Sequence, residues 1–198
     1  MVAQIRIIGD THGKFKQYRK LTRNVECSIQ LGDFGFKPHH MLHLKYRDSE
    51  RHKIIFGNHD DTSFLKSPHS LGNHGIFKDI FCIRGAWSID QKWRTIGINW
   101  FQDEELNMRQ MTEAMDAYEI AKPSIVITHD CPEFMYSRHG IFEIKPEGRS
   151  TPRFLEHVFE LHRPDLWIYG HHHDSQTNDI LGTEFRCLDE LETLDLEL

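Results

Sequence analysis

Fifteen histidines stand among 198 residues, a high load of the side chain that is both the commonest metal ligand and the near-neutral acid or base. Many of them share one local setting. Five apolar, β-rich runs end in Gly or Thr and then deliver metal-capable groups: Asp10 with His12, Asp33, Asn58 with His59, His129, and the run His171, His172, His173. Imidazole nitrogens, carboxylates and one amide oxygen, with no thiolate among them, suit divalent Mn, Fe, Zn, Co or Ni better than Ca or an all-oxygen Mg site. So many donors exceed the four that close a structural zinc site, and a carboxylate can bridge. The set therefore points to two ions about 3.5–4 Å apart, which grip phosphate oxygens and suit phosphoester hydrolysis.

The elements that position these groups follow from periodicity. Ala3 to Gly9 reads as a strand, and Phe15 to Arg23 as a helix with Phe15, Tyr18 and Leu21 three apart. Val25 to Leu31 is a second strand, His39 to Tyr46 a short helix and Lys53 to Phe56 a third strand. This βαβαβ start implies parallel strands, and ligands bind beyond the carboxyl ends of such strands. Ser67 to Gly75 reads as loop. Ile80 to Ile83 and Arg94 to Trp100 read as strands of an antiparallel excursion, with Gly85 to Gln91 as a turn or strand pair and Trp87, Trp93 and Trp100 as packing residues.

Asp103 to Ala121 is the clearest helix, with Met108, Met111, Met115 and Tyr118 on a core face and Asp103, Glu104 and Glu105 in its first turn. Ser124 to Thr128 is a strand, and the following segment to Ser150 is mostly loop. Thr151 caps a helix running to His162, and Asp165 to Tyr169 and Thr183 to Leu188 are strands before an edge-strand C-terminus.

Composition bounds the rest. With 38% apolar and 27% charged residues, the chain suits one domain spanning 1–198 with a real core. It contains no apolar run long enough for a bilayer and no basic leader, so a soluble, cytoplasmic protein without a membrane partner is expected. The cysteines at 27, 82, 131 and 187 form no Cys-x-x-Cys pair and read as free thiols. A net charge of -6 works against broad nucleic-acid affinity while leaving a local basic groove open.

Gly9-Asp10-Thr11-His12-Gly13, Gly32-Asp33, Gly57-Asn58-His59-Asp60, Thr128-His129 and Gly170-His171-His172-His173, in that order, resemble the five blocks of the calcineurin-like metallophosphoesterases. The chain is compact, like small bacterial and phage-encoded members. The resemblance implies an α/β fold, a four-layer sandwich of two mixed β-sheets flanked by helices. It places Asp10, His12, Asp33 and His173 on one metal and Asp33, Asn58, His129 and His171 on a second, with Asp33 bridging and manganese the first choice of ion. His172 becomes a spacer facing away, since residues two apart point the same way along an extended segment. His59 would protonate the leaving oxygen or stabilise charge near the scissile phosphate, and Asp60 would hold its tautomer.

The reaction implied is hydrolysis of a phosphate monoester by in-line attack of a metal-bridging hydroxide, the pKa of water falling from about 15.7 to near 7 on a metal. A phosphodiesterase or nuclease acting on nucleotides or nucleic acid is the alternative, and a non-catalytic module on this fold a further one. Many family phosphatases read Gly-Asp-x-x-Asp-Arg-Gly in the second block, whereas Gly32-Asp33-Phe34-Gly35-Phe36-Lys37 lacks the second Asp and the phosphate-gripping Arg. Arg84 is the candidate substitute. Arg138 and His139, after His129, are candidate contacts for a phosphorylated substrate that the sequence does not identify. Gly72-Asn73-His74-Gly75 also spells Gly-Asn-His, but it follows Ser67, Pro68 and Ser70 and reads as turn chemistry. His39 and His43 read as a solvated helix face.

Overall fold

The computed structural model describes residues 4–35, 40–44 and 47–198; the expected helix from 39 to 46 lies partly outside them, and His40–His43 form a short 3-10 turn. Two sheets carry the fold. The first contains β1 (Gln4–Ile8), β2 (Cys27–Gln30), β3 (His52–Ile54) and β10 (Thr193–Glu197), in the order β10-β1-β2-β3. Strands β1, β2 and β3 run parallel, and β10 closes the edge antiparallel to β1. The second sheet is ordered β4-β5-β6-β7-β9-β8: β4 (His74–Phe77), β5 (Ile80–Ile83), β6 (Ile125–Thr128), β7 (Leu166–Tyr169), β8 (Gln176–Ile180) and β9 (Thr183–Cys187). Its centre, β5 to β6 to β7 to β9, is parallel, with antiparallel β4 and β8 at the edges.

Alternation along the strands sorts side chains into layers. Ile5, Ile7, Ile29, Ile80, Cys82, Ile127 and Ile168 fill one buried cluster uniting the two sheets. The neighbouring positions Phe81, Val126, Trp167 and Tyr169 pack instead with α2 (Met108–Ala121) and α3 (Ser150–Leu161). On the other side, Ile8, Ile54 and Phe56 pack with Phe15 and Tyr18 of α1 (Phe15–Leu21). The result is the expected four-layer α/β sandwich of two mixed sheets flanked by helices. Full burial of each such apolar side chain contributes about 1.5–3 kcal/mol. Among the described residues no helix is long and apolar enough to cross a membrane.

Several local expectations are corrected. Arg94 to Trp100 is not a strand; it holds one isolated bridge, Ile96 to Trp100, in an irregular excursion where Trp93 is exposed. His74 and Gly75 belong to β4 rather than to a loop, because pairing with Ile83 and Cys82 supplies their ladder. Helix α2 begins after Asn107, whose side chain forms a capping box with Gln110. The upstream carboxylates have tertiary partners instead: Glu105 accepts bonds from Ser150 and Thr151 at the start of α3, and Glu104 is buried beneath Ser88. Met108 is exposed, so the expected core stripe begins at Met111. All four cysteines are free and buried.

Candidate metal centre

Each strand-end group is carried where its strand stops. Asp10 follows β1, Asp33 follows β2, Asn58 follows β3, His129 follows β6 and His171 follows β7. Parallel strands expose these ends on one side, and the two sheets bring the ends together. Close approach demands glycine at the strand exits: a Cβ on Gly57 would collide with Asp33 Oδ1 and His129 Nε2, and one on Gly170 with Asp10 Oδ1.

The donors fall into overlapping groups. Asp10, His12 and His173 offer ligand atoms within 4.8 Å of one another, as do Asp33, His129 and His171, and a further group joins His12 and Asp33 to His59. His12 Nε2 lies 3.0 Å from His173 Nε2, 3.7 Å from Asp10 Oδ2 and 3.8 Å from Asp33 Oδ2. His129 Nε2 lies 3.4 Å from Asp33 Oδ1 and 3.2 Å from Asn58 Oδ1. Asp33 thus faces both groups, and its backbone and those of His12, His171 and His173 are left-handed, with φ of 53°, 44°, 66° and 50°. Non-glycine residues held in that region are strained, and such strain concentrates at functional sites.

The donor chemistry fits a cation. His129 Nδ1 donates to the Leu31 carbonyl at 2.8 Å, so a neutral ring presents a lone pair at Nε2. Asn58 Nδ2 donates to Ser88 Oγ at 2.9 Å, which turns Oδ1 toward that same nitrogen. With that ring neutral, its Nε2 lone pair faces Asn58 Oδ1 and the buried Asp33 carboxylate, an arrangement a cation between them would satisfy. Burial opposes the charge of Asp33, yet the His129, His59 and His12 imidazoles hold its pKa down to about 2. Burial lowers the pKa of His129 and His12 while carboxylates raise it more, and burial pushes His171 down to about 4. Side chains of Asp10, Asp33 and His129 are at most 2% exposed, whereas those of His12, His59 and His173 are 23%, 37% and 43% exposed. A ligand arrives over that second set.

Other sequence-derived site residues are placed differently. Arg84 is buried, donating to Asn73 Oδ1 at 2.8 Å and to the Asp103 carbonyl at 2.9 Å. That makes it a brace under the excursion. Arg138 lines a separate cavity with Phe134, Phe159 and Leu181. His139 bonds Tyr169 Oη at 2.9 Å and Asp174 Oδ2 at 3.2 Å, and its ring stacks on His172. Asp60 accepts from the backbone N–H groups of Gly35 at 2.7 Å and Gly57 at 2.9 Å. It ties the loops that carry Asp33 and Asn58 together and leaves the His59 ring to another partner.

That partner is Arg94, which sequence reasoning missed: its Nη2 lies 2.7 Å from His59 Nε2. Arg94 Nε pairs with Asp90 at 2.7 Å and its Nη1 with Ser88 Oγ at 3.1 Å, leaving the side chain 8% exposed. Its only signal in the sequence is the arginine absent from the second block. His172 does face away from the donors, but not along an extended segment. Its N–H donates to Gly170 O at 2.7 Å in a tight turn, and the ring is buried beside Asp130 Oδ1 and Cys131 Sγ, both at 3.2 Å. Asp130, with a pKa near 2 against the cost of burial and with His172 and the Cys131 N–H as partners, locks the loops that carry His129 and His171.

Comparison with known proteins agrees. Residues 4–186 match the calcineurin-like phosphoesterase superfamily domain. Among solved structures, a dimetal phosphatase from Danio rerio shows a TM-score of 0.59 at 13% identity over 96% of this chain and 88% of that one. The protein TT1561 of Thermus thermophilus shows 0.60 at 10% identity over 100% and 99%, and the phosphopantetheinyl hydrolase of Mycobacterium tuberculosis 0.54 at 10% over 96% and 90%. At these identities the likeness is one of fold. No curated protein matches this sequence. The family match encloses all five strand-end blocks, and with it the chain belongs to the calcineurin-like phosphoesterase superfamily and is a metallophosphoesterase, a hydrolase of phosphoester bonds.

Proposed function

We propose that the protein hydrolyses phosphate monoesters at a dinuclear centre, with Asp10, His12, Asp33 and His173 holding one divalent ion and Asp33, Asn58, His129 and His171 the other. Manganese remains our first choice of ion. The observation that carries this reading is the convergence of Asn58 Oδ1 and Asp33 Oδ1 on His129 Nε2, at 3.2 and 3.4 Å. Bound divalent ions would supply Lewis acidity to the phosphoryl oxygens and lower the pKa of water at the site.

The chain's own residues do the rest. The Leu31 carbonyl fixes the His129 tautomer and Ser88 orients the Asn58 amide, so both donors are aimed before any ion arrives. Arg94 donates to His59 Nε2, so the neutral ring carries its proton on Nδ1. Burial first, and then the Arg94 charge, keep the pKa of His59 below its ordinary value. The pair presents one cationic edge to the phosphate, which supports charge stabilisation over proton donation by His59. An added guanidinium suits a monoester dianion better than a diester monoanion. Four free buried cysteines support a reducing, cytoplasmic setting.

The test compares para-nitrophenyl phosphate with its bis-ester on protein loaded with Mn, Ni or Zn, alongside metal content. Monoester preference of about tenfold or more upholds the proposal. Preference for the bis-ester replaces it with the phosphodiesterase reading, and two retained ions without turnover of either substrate identify a non-catalytic module.

A further inference from the structure

A cleft of about 340 Å³ opens beside His171, walled by Trp87 and Ile89 on one segment and by Ile141 and Ile144 on another. It is within the usual size range of small-ligand sites. Ile141 and Ile144 pack on the core beneath it, which leaves the exposure of Ile89 to be explained. Ile89 is 77% exposed, and it sits beside a polar metal centre where water would be the default occupant. Trp87 is packed on Gly148: the indole lies so close to that backbone that a Cβ there would collide with it. Ser88, between the two wall residues, receives the Asn58 amide at 2.9 Å and Arg94 Nη1 at 3.1 Å. One wall of the cleft is therefore continuous with the residues that face the phosphate.

We infer that this cleft receives the organic group of the phosphoester, and that this group is a flat aromatic ring. The inference rests on the phosphoesterase reading above and adds the substrate class. An indole beside aliphatic side chains favours a ring that can lie against both, and such contacts are worth more than the buried area alone. Glu143 and Lys145 also line the cleft and supply the few polar groups that orient a ring carrying a donor or an acceptor. A sugar or a short alkyl alcohol would leave this apolar lining in contact with water.

The experiment measures kcat/KM for 1-naphthyl phosphate and for β-glycerophosphate on the metal-loaded protein, and repeats both on Trp87→Ala and on Ile144→Ala. Taking the ratio within each protein cancels the higher intrinsic reactivity of the aryl ester. The ratio is expected to fall by about tenfold or more in each variant, the discrimination that an apolar pocket contact provides. An unchanged ratio in both folded variants overturns the inference, and Ile144→Ala alone decides it if Trp87→Ala does not fold. Failure of the unaltered protein to hydrolyse either ester is a different result, which sinks the monoester reading on which the inference rests.

Discussion

Gly57-Asn58-His59 and Gly72-Asn73-His74 are the same tripeptide, and the molecule uses them for opposite purposes. The first leaves the end of parallel strand β3, so Asn58 Oδ1 stands 3.2 Å from His129 Nε2 and His59 stands over Asp33. The second enters edge strand β4. There Asn73 Oδ1 and the Asn73 carbonyl hold the side chain and backbone of Arg84, and His74 stacks on Phe81. Identical residues become candidate metal donors or braces according to which end of which strand presents them. The amide chemistry is common to both; the first copy meets the imidazole that follows β6, the second the guanidinium that follows β5.

The widest separation is expected between the two asparagines. Asn58→Ala should reduce turnover by about 10²–10³-fold with little change in Tm, because the lost oxygen faces the donors. Asn73→Ala should retain metal and turnover but lose about 1–3 kcal/mol of stability as the buried Arg84 guanidinium forfeits an acceptor. Urea unfolding beside initial rates reads both. A catalytic defect in Asn73→Ala at full metal occupancy would erase the contrast.

The two histidines sharpen it. His59→Gln should cost about 10²-fold in turnover, and by the same factor for para-nitrophenyl phosphate as for β-glycerophosphate, since charge stabilisation is indifferent to the leaving group. A defect concentrated on β-glycerophosphate would make His59 a proton donor instead. His74→Gln should leave both rates near those of the unaltered protein.

Smaller again is the effect expected at His172, beside the candidate donors yet turned from them. His172→Phe should keep the ring packing on Tyr136 and His139 and weaken metal affinity by about 10–100-fold, measured by competition with a chromophoric chelator. Unchanged affinity would leave the Asp130–His172 pair a packing feature only.

Least in size is a pH effect at the opposite end of β3. His52 bonds Ser28 Oγ at 2.9 Å, and burial, assisted by the Arg47 and Arg51 charges, pushes it down to about 4. The unfolded chain binds that proton near pH 6.5 and the folded chain resists it. The contribution of His52 to stability is therefore whole above about pH 6.5 and is lost as pH falls toward 4. His52→Gln should flatten the fall in Tm over that window relative to the unaltered protein; parallel curves would show that His52 does not couple to folding.

Legibility in the sequence follows the same division. Strands β1, β2, β3, β5, β6 and β7 were readable because each is a short apolar or alternating run that ends at a turn residue, and their order carried the family resemblance. Strand β8, Gln176–Ile180, was not readable, because a polar edge strand has little apolar period and is stabilised by pairing with β9. The tryptophan-rich excursion misled for a related reason. Its β-favouring residues find no ladder, and its conformation is held by side chains such as Glu104 bonding the Ser88 N–H and hydroxyl.

The amino-acid sequence alone determined which donors exist, that glycine precedes most of them, and that they leave successive strands of an α/β fold, because these properties are local to a few residues and their hydrophobic pattern. Only the tertiary structure decided which guanidinium reaches His59, what buries His172, and which backbone positions are forced left-handed. Those outcomes depend on packing between segments tens of residues apart, where no periodicity constrains the pairing and the competing partners differ by only a few kcal/mol.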